Sequence, residues 1–235
     1  MKRCLICFED LYHHVPLLSY FCYKDIICGA CRSKMILYQK WNKLNELDVY
    51  SFYIYDRYME SLLFQYKEGR DIALSKVFFH PFINFIEKQF KGYTIIYMPS
   101  SEQHLKRRGF FPLEEMLEEV NLKKCHYFVK TREYKQSSQS YENRKQVKDV
   151  IAIKDKSYPL PNKILLVDDV CTSGETLLCA YELIKNETRS IKALILCDNR
   201  RSVELCDEKK FPIFNILDIL KRKSRSWIQR KQGEN

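Results

Sequence analysis

The sequence predicts an α/β fold, a parallel β-sheet flanked by helices, preceded by a small module held by a metal ion. Two stretches predict it. Lys163-Ile-Leu-Leu-Val-Asp168-Asp169-Val-Cys-Thr172-Ser173-Gly174-Glu175-Thr176 reads as strand, small-residue loop and helix start. Cys4-x-x-Cys7 and Cys28-x-x-Cys31 are two paired-cysteine knuckles. Each element follows from elementary chemistry, taken from the N-terminus onward.

Zinc needs four soft ligands at tetrahedral corners, and each knuckle curls two thiolates toward one ion. Gly29 sits inside the second knuckle, where an unusual φ costs little. The residues between the knuckles, including Phe21-Cys22-Tyr23, are expected to form a short hairpin that delivers the second pair. Cys22, His13 and His14 are rival ligands, but a closed four-cysteine site has no need of them. With all four ligands from protein, the zinc would be structural, supplying most of the folding free energy of a core this small.

Residues 36–48 read as a linker, helical on the ground that Ser33 to Leu47 holds neither Pro nor Gly. The main domain is expected over 49–220, with the finger over 1–35 and a basic tail, including Trp227, over 221–235.

Ile164 to Val167 is a continuous apolar run, expected of a parallel strand covered on both faces. Leu177, Leu178, Ala180, Tyr181, Leu183 and Ile184 then recur at helical spacing. The loop between them presents backbone N–H groups and a helix N-terminus at the strand's carboxyl end, which attracts an anion. Gly174 permits close backbone approach, and Thr172, Ser173 and Thr176 offer hydroxyls. Asp168 and Asp169 would repel a phosphate, so they call for a second partner; ribose hydroxyls, which donate to carboxylates, supply one. Tyr93 to Met98 reads as a second strand, with Ser100 and Ser101 opening the loop after it. A helix follows over Leu113 to Val120, and Ser190 to Cys197 is a third strand, as a right-handed βαβ unit requires.

The formal net charge is +10, from 40 Lys and Arg against 30 Asp and Glu, which favours a polyanionic partner. Hydrophobic residues at 46% allow a buried core and set wholesale disorder aside. No apolar run is long enough to span a bilayer, and Glu9 and Asp10 interrupt any secretion signal, so membrane insertion is not expected and a cytoplasmic location is. Ten cysteines in a reducing compartment then mean metal ligands or free thiols. Cys125, Cys171, Cys179, Cys197 and Cys206 are expected as small buried hydrophobes.

The strand, Asp168-Asp169 and Thr172-Ser-Gly-Glu-Thr176 together resemble the phosphoribosyl diphosphate (PRPP) motif of type I phosphoribosyltransferases. The resemblance implies that Asp168 and Asp169 hold the ribose hydroxyls, that Thr172, Ser173, Gly174, Glu175 and Thr176 hold the 5-phosphate, and that Mg2+ accompanies the ligand. It also implies that Ser100, Ser101, Lys106, Arg107 and Arg108 face the pyrophosphate. Tyr55-Asp56, Leu63 to Lys67, Lys106 to Phe110, and Arg132, Gln136 and Arg144, with the four-cysteine finger, resemble the ComF family of competence proteins. That family likeness departs at Phe111, where Asn is usual, and at Lys145-Gln146-Val147 in place of Asn-Val. It implies action in DNA uptake during natural transformation, with the ComFA helicase-like ATPase, other transformation proteins, single-stranded DNA and PRPP as partners. The alternative is an active phosphoribosyltransferase with an unidentified acceptor. Arg132, Lys135, Gln136, Arg144 and Lys145, with Tyr134 and Tyr141 interleaved, are the nucleic-acid candidates, since cations and aromatic faces suit a single strand.

Overall fold

The computed structural model describes residues 2–11, 25–130, 151–155, 157 and 159–199. A six-stranded sheet organises them, in the order β1-β2-β8-β7-β3-β4. Its strands are β1 (Leu37–Leu44), β2 (Leu47–Ile54), β3 (Thr94–Tyr97), β4 (Lys123–Cys125), β7 (Lys163–Cys171) and β8 (Ser190–Asp198). Only β1 against β2 is antiparallel; β2–β8, β8–β7, β7–β3 and β3–β4 are parallel. A separate two-stranded ribbon pairs β5 (Phe128–Lys130) with β6 (Ile151–Ile153).

The apolar runs are continuous because both faces of the sheet are covered. Alternate residues serve two cores. Ile95, Tyr97, Leu165, Val167, Leu194 and Leu196 face one; Ile96, Met98, Ile164, Leu166, Ala193 and Ile195 face the other. The first core takes helices α2 (Arg57–Lys67), α3 (Ser75–Phe78), α4 (Ile83–Gln89) and α6 (Pro112–Met116); the second takes α7 (Glu175–Ile184). Asp56 caps α2, its carboxylate accepting from the Met59 N–H at 2.9 Å. Between α4 and α6, the short helix α5 (Glu102–Arg108) follows β3 and ends on Gly109 in the left-handed region, φ +83°. The remaining helix, α1 (Gly29–Ser33), belongs to the cysteine module.

Residues 36–48 do not form a helical linker. They supply β1 and the turn into β2, at the edge of the main sheet. Absence of Pro and Gly is equally compatible with a strand, and Trp41 earns its place by packing edge-on against Tyr50, ring centroids 5.2 Å apart. The helix expected over Leu113 to Val120 is shorter, Pro112–Met116, with Leu117 and Val120 buried in the turns that follow. Lys106, Arg107 and Arg108 form the last turn of α5. Of the cysteines expected inside, Cys171 and Cys197 are buried and Cys125 and Cys179 half-buried; Cys206 lies outside the described residues. Among the described residues no helix is long and apolar enough to cross a membrane.

Candidate functional site

The four knuckle cysteines converge. All their sulfur atoms lie within 4.8 Å of one another, Cys7 and Cys28 at 3.6 Å. Tetrahedral zinc–sulfur bonds of about 2.3 Å would place sulfurs roughly 3.8 Å apart, so the set fits a metal such as zinc. Local backbone turns make this possible. Phe8, at φ +62°, lets the chain fold back so that its N–H reaches the Cys4 carbonyl at 3.0 Å. Cys28 caps α1, its sulfur accepting from the Cys31 N–H at 3.5 Å, and the Cys28 N–H donates to the Cys4 sulfur at 3.3 Å. Such N–H···S bonds stabilise thiolates. Arg32 pairs with Asp25 beside the cluster. The rival ligands His13, His14 and Cys22 lie outside the described residues.

The module does not stand apart, as the expectation of a metal-dependent miniature core supposed. Cys4, Leu11, Ile27, Cys31 and Met35 belong to the same buried cluster as Tyr50, Phe52 and the helices over the sheet.

The candidate phosphate loop begins where β7 ends. Gly174 takes a left-handed conformation, φ +79°, immediately before α7, and the Glu175 N–H reaches the Ser173 hydroxyl at 3.4 Å. Thr172, Ser173 and Glu175 are exposed and Thr176 half-buried, so their polar groups border solvent at the head of the helix. A Cβ on Gly174 would come within 2.6 Å of the Leu44 side chain, so an edge residue of β1 roofs this turn.

Asp168 and Asp169 are both half-buried at the end of β7. Burial first, then the neighbouring Asp169 carboxylate, pushes Asp168 up to about 7, against the pull of the Asp169 N–H and the Lys67 charge. That N–H donates to the Asp168 carboxylate at 2.9 Å. Asp169 is held in an ion pair with Lys67, the last residue of α2, with both side chains mostly covered. In the sequence Lys67 stands out only within a family likeness. Its contact with Asp169 joins residues far apart in the chain, a pairing that no local pattern announces.

The pyrophosphate candidates divide. Ser101 is taken up in capping α5, its hydroxyl accepting from the His104 N–H at 3.3 Å, while Ser100 lines the adjoining cavity. Arg108 donates to Glu68 at 2.6 Å and 3.2 Å, and Arg107 pairs with the same carboxylate. Burial would raise the Glu68 pKa; the Arg108 hydrogen bonds and the charges of both arginines outweigh it and hold the group below its ordinary value. Glu68 is therefore a second residue that the sequence left unremarked, and it ties α2 to α5. Among the described residues, Lys106 reaches only the exposed Glu102, at 3.8 Å. Arg132, Lys135, Gln136, Arg144 and Lys145 lie outside the described residues, as does the tail over 221–235.

With this geometry in place, the phosphoribosyl transferase domain matches residues 105–227, more than half of the chain. The chain belongs to that family. Over 135 residues it is 29% identical to "Competence protein ComFC" of Streptococcus pneumoniae (strain ATCC BAA-255 / R6), a match spanning 57% of this chain and 60% of that relative. Among solved structures, a hypoxanthine phosphoribosyltransferase from Staphylococcus aureus aligns with a TM-score of 0.36 at 12% identity, covering 56% of this chain and 65% of that one. A hypoxanthine-guanine phosphoribosyltransferase from Bacillus anthracis aligns with a TM-score of 0.34 at 15% identity, covering 56% and 68%. Within the family match fall both Asp168-Asp169 and the loop to Thr176.

Proposed function

We propose that this protein binds PRPP with Mg2+ at the loop Asp168 to Thr176 and acts in the cytoplasm in DNA uptake during natural transformation. One observation carries the ligand reading. Two adjacent carboxylates sit half-buried near the end of a central strand, which leads through a short loop to a left-handed glycine and a helix N-terminus. Asp168, lifted to about 7, is poorly suited to remaining charged there without a partner. Ribose hydroxyls donating to the pair, and a hard divalent cation beside it, would relieve that cost. The loop N–H groups and the exposed hydroxyls of Thr172 and Ser173 would receive the 5-phosphate.

Mg2+ would neutralise pyrophosphate charge when bound, with Asp168 and Asp169 its hard-oxygen neighbours. Lys67 orients Asp169 and offsets its charge until the ligand arrives. Arg107 and Arg108 would have to exchange Glu68 for pyrophosphate oxygens to take part. Similarity to the Streptococcus pneumoniae competence protein supports a role in competence; single-stranded DNA, the ComFA helicase-like ATPase and other transformation proteins are the partners of this proposal. The four-cysteine cluster would hold a structural zinc.

A thermal-shift titration with PRPP and Mg2+, on wild type and on Asp168→Asn/Asp169→Asn, tests the ligand reading. A dose-dependent rise in Tm that disappears in the double variant is expected, because a ligand stabilises only the state that binds it. No rise at saturating PRPP would leave the loop as scaffold and sink the proposal.

A further inference from the structure

The carboxyl end of α2 carries two charge clamps on consecutive residues. Lys67 pairs with Asp169 on β7, and Glu68 pairs with Arg107 and Arg108 at the end of α5. Arg108 donates two bonds to one Glu68 oxygen, at 2.6 Å and 3.2 Å, while Arg107 takes the other oxygen. Arg108 keeps 10% of its side chain exposed and Glu68 23%, so the contact is largely shielded from water. The backbone beneath it is also fixed. The Glu68 N–H donates to the Phe64 carbonyl at 2.7 Å, and a Cβ on Gly69 would lie 2.5 Å from the Gln65 carbonyl oxygen.

The two clamps share one neighbourhood. Burial, then the Glu115 and Asp169 carboxylates, hold the Tyr66 hydroxyl above its ordinary value, against the Arg108 charge. One side chain therefore feels both Asp169 and Arg108. Burial holds His104 below its ordinary value, helped by the charges of Arg108, Arg107 and Lys130. Burial and Asp169 raise Asp168, and Lys130 is among the charges that oppose them. The arginine pair thus lies in the same electrostatic field as the acidic pair, with the end of α2 joining them.

We propose that Glu68 is a specificity gate, an internal stand-in for a diphosphate that keeps Arg107 and Arg108 from any ligand lacking one. The inference rests on the reading of the Asp168 to Thr176 loop as a PRPP site and assigns that site a residue that selects among its ligands. Carboxylate and phosphate oxygens compete for the same guanidinium donors. A carboxylate tethered beside the arginines competes at high effective concentration. Apparent affinity then falls with the fraction of time the arginines are free. A sugar with one phosphate at the loop offers the arginines nothing in exchange and leaves Glu68 in place. A diphosphate, with more charge and more acceptor oxygens, displaces it. Glu68 is a positioning residue in this scheme, acting on the ligand through the arginines.

Isothermal titration calorimetry on the full chain, with its metal retained and Mg2+ present, decides it. The probes are PRPP and ribose 5-phosphate, which share the sugar and the 5-phosphate and differ in the diphosphate. The proteins are wild type, Glu68→Gln, which keeps the shape and gives up the charge, and Arg107→Gln, at the more exposed arginine. Circular dichroism checks that each folds. Glu68→Gln should bind PRPP at least about fivefold more tightly than wild type and ribose 5-phosphate equally well. Arg107→Gln should bind PRPP more weakly, again with ribose 5-phosphate unchanged. A contact that merely fastened α2 to α5 would lower Tm in Glu68→Gln without tightening any ligand. PRPP bound by wild type and no more tightly by Glu68→Gln overturns the gate and leaves the PRPP reading standing. Equal tightening of both probes also overturns it, because the effect would then be general charge. PRPP bound by no protein sinks the loop reading and the gate together. If Glu68→Gln does not fold, Arg107→Gln decides alone, and unchanged PRPP affinity there overturns the gate.

Discussion

Asp168 concentrates the tension in this molecule. Its folded pKa of about 7 lies above its ordinary value of 3.8, so the folded state prefers it protonated. Stability from that preference is fully present below pH 3.8 and is lost as pH rises through about 7. Asp168→Asn removes the titration and keeps the shape. The ligand-free variant should match wild type near pH 4 and exceed it by a few degrees in Tm at pH 8, the gap opening between those limits. Tm measured across pH 4 to 8 checks this. A gap that is absent at pH 8, or equally large at both ends, would mean that Asp168 is not strained. The gain in stability should accompany loss of the PRPP shift, as when binding groups are held ready at a cost to the fold.

At the scale of elements, β7, its loop and α7 were legible because apolar run, acidic pair and small-residue loop are contiguous in the chain. β1 was not. Residues 36–48 carry no turn chemistry except at Asn45, a left-handed residue at φ +54° in the β1–β2 turn, and their role depends on contacts with distant strands. The consequence reaches the candidate site, since Leu44 of β1 lies over Gly174. Gly174→Ala should therefore cost for two separable reasons. The left-handed backbone costs about 1–3 kcal/mol for a non-glycine residue, and the added methyl must displace Leu44. In a Leu44→Ala background the second part vanishes and the first remains. A double-mutant cycle by urea denaturation should show coupling of about 0.5 kcal/mol or more, with the pair less damaging than the sum. Strict additivity would mean that β1 does not constrain the loop. Likewise, Lys67 stood in the sequence only within a family likeness and Glu68 not at all; that they meet Asp169 and the α5 arginines depends on packing between elements.

Across the whole molecule, the two-part organisation expected from the cysteine spacing holds in its ligand set but not in its independence. The spacing identified all four converging sulfurs, because two knuckles are a local device. What spacing could not tell is that Leu11, Ile27 and Met35 are buried in one continuous core with Phe52, Tyr66 and the sheet. A metal bound by the cysteines should therefore stabilise the body of the protein, since ligation free energy is coupled to any unfolding that disperses the ligands. Removing it with a chelator should lower the Tm of the main calorimetric transition by several degrees, and Cys31→Ser should do the same, because Cys31 is both a candidate ligand and buried core. Re-adding Zn2+ should restore the wild type and leave the variant unchanged. If chelation instead produced a separate early transition with the main one unmoved, the finger would be melting by itself. The continuity of the core would then count for little energetically. If the transition moves as one, the metal state of the cysteine cluster is felt in the sheet on which the candidate phosphate loop is built.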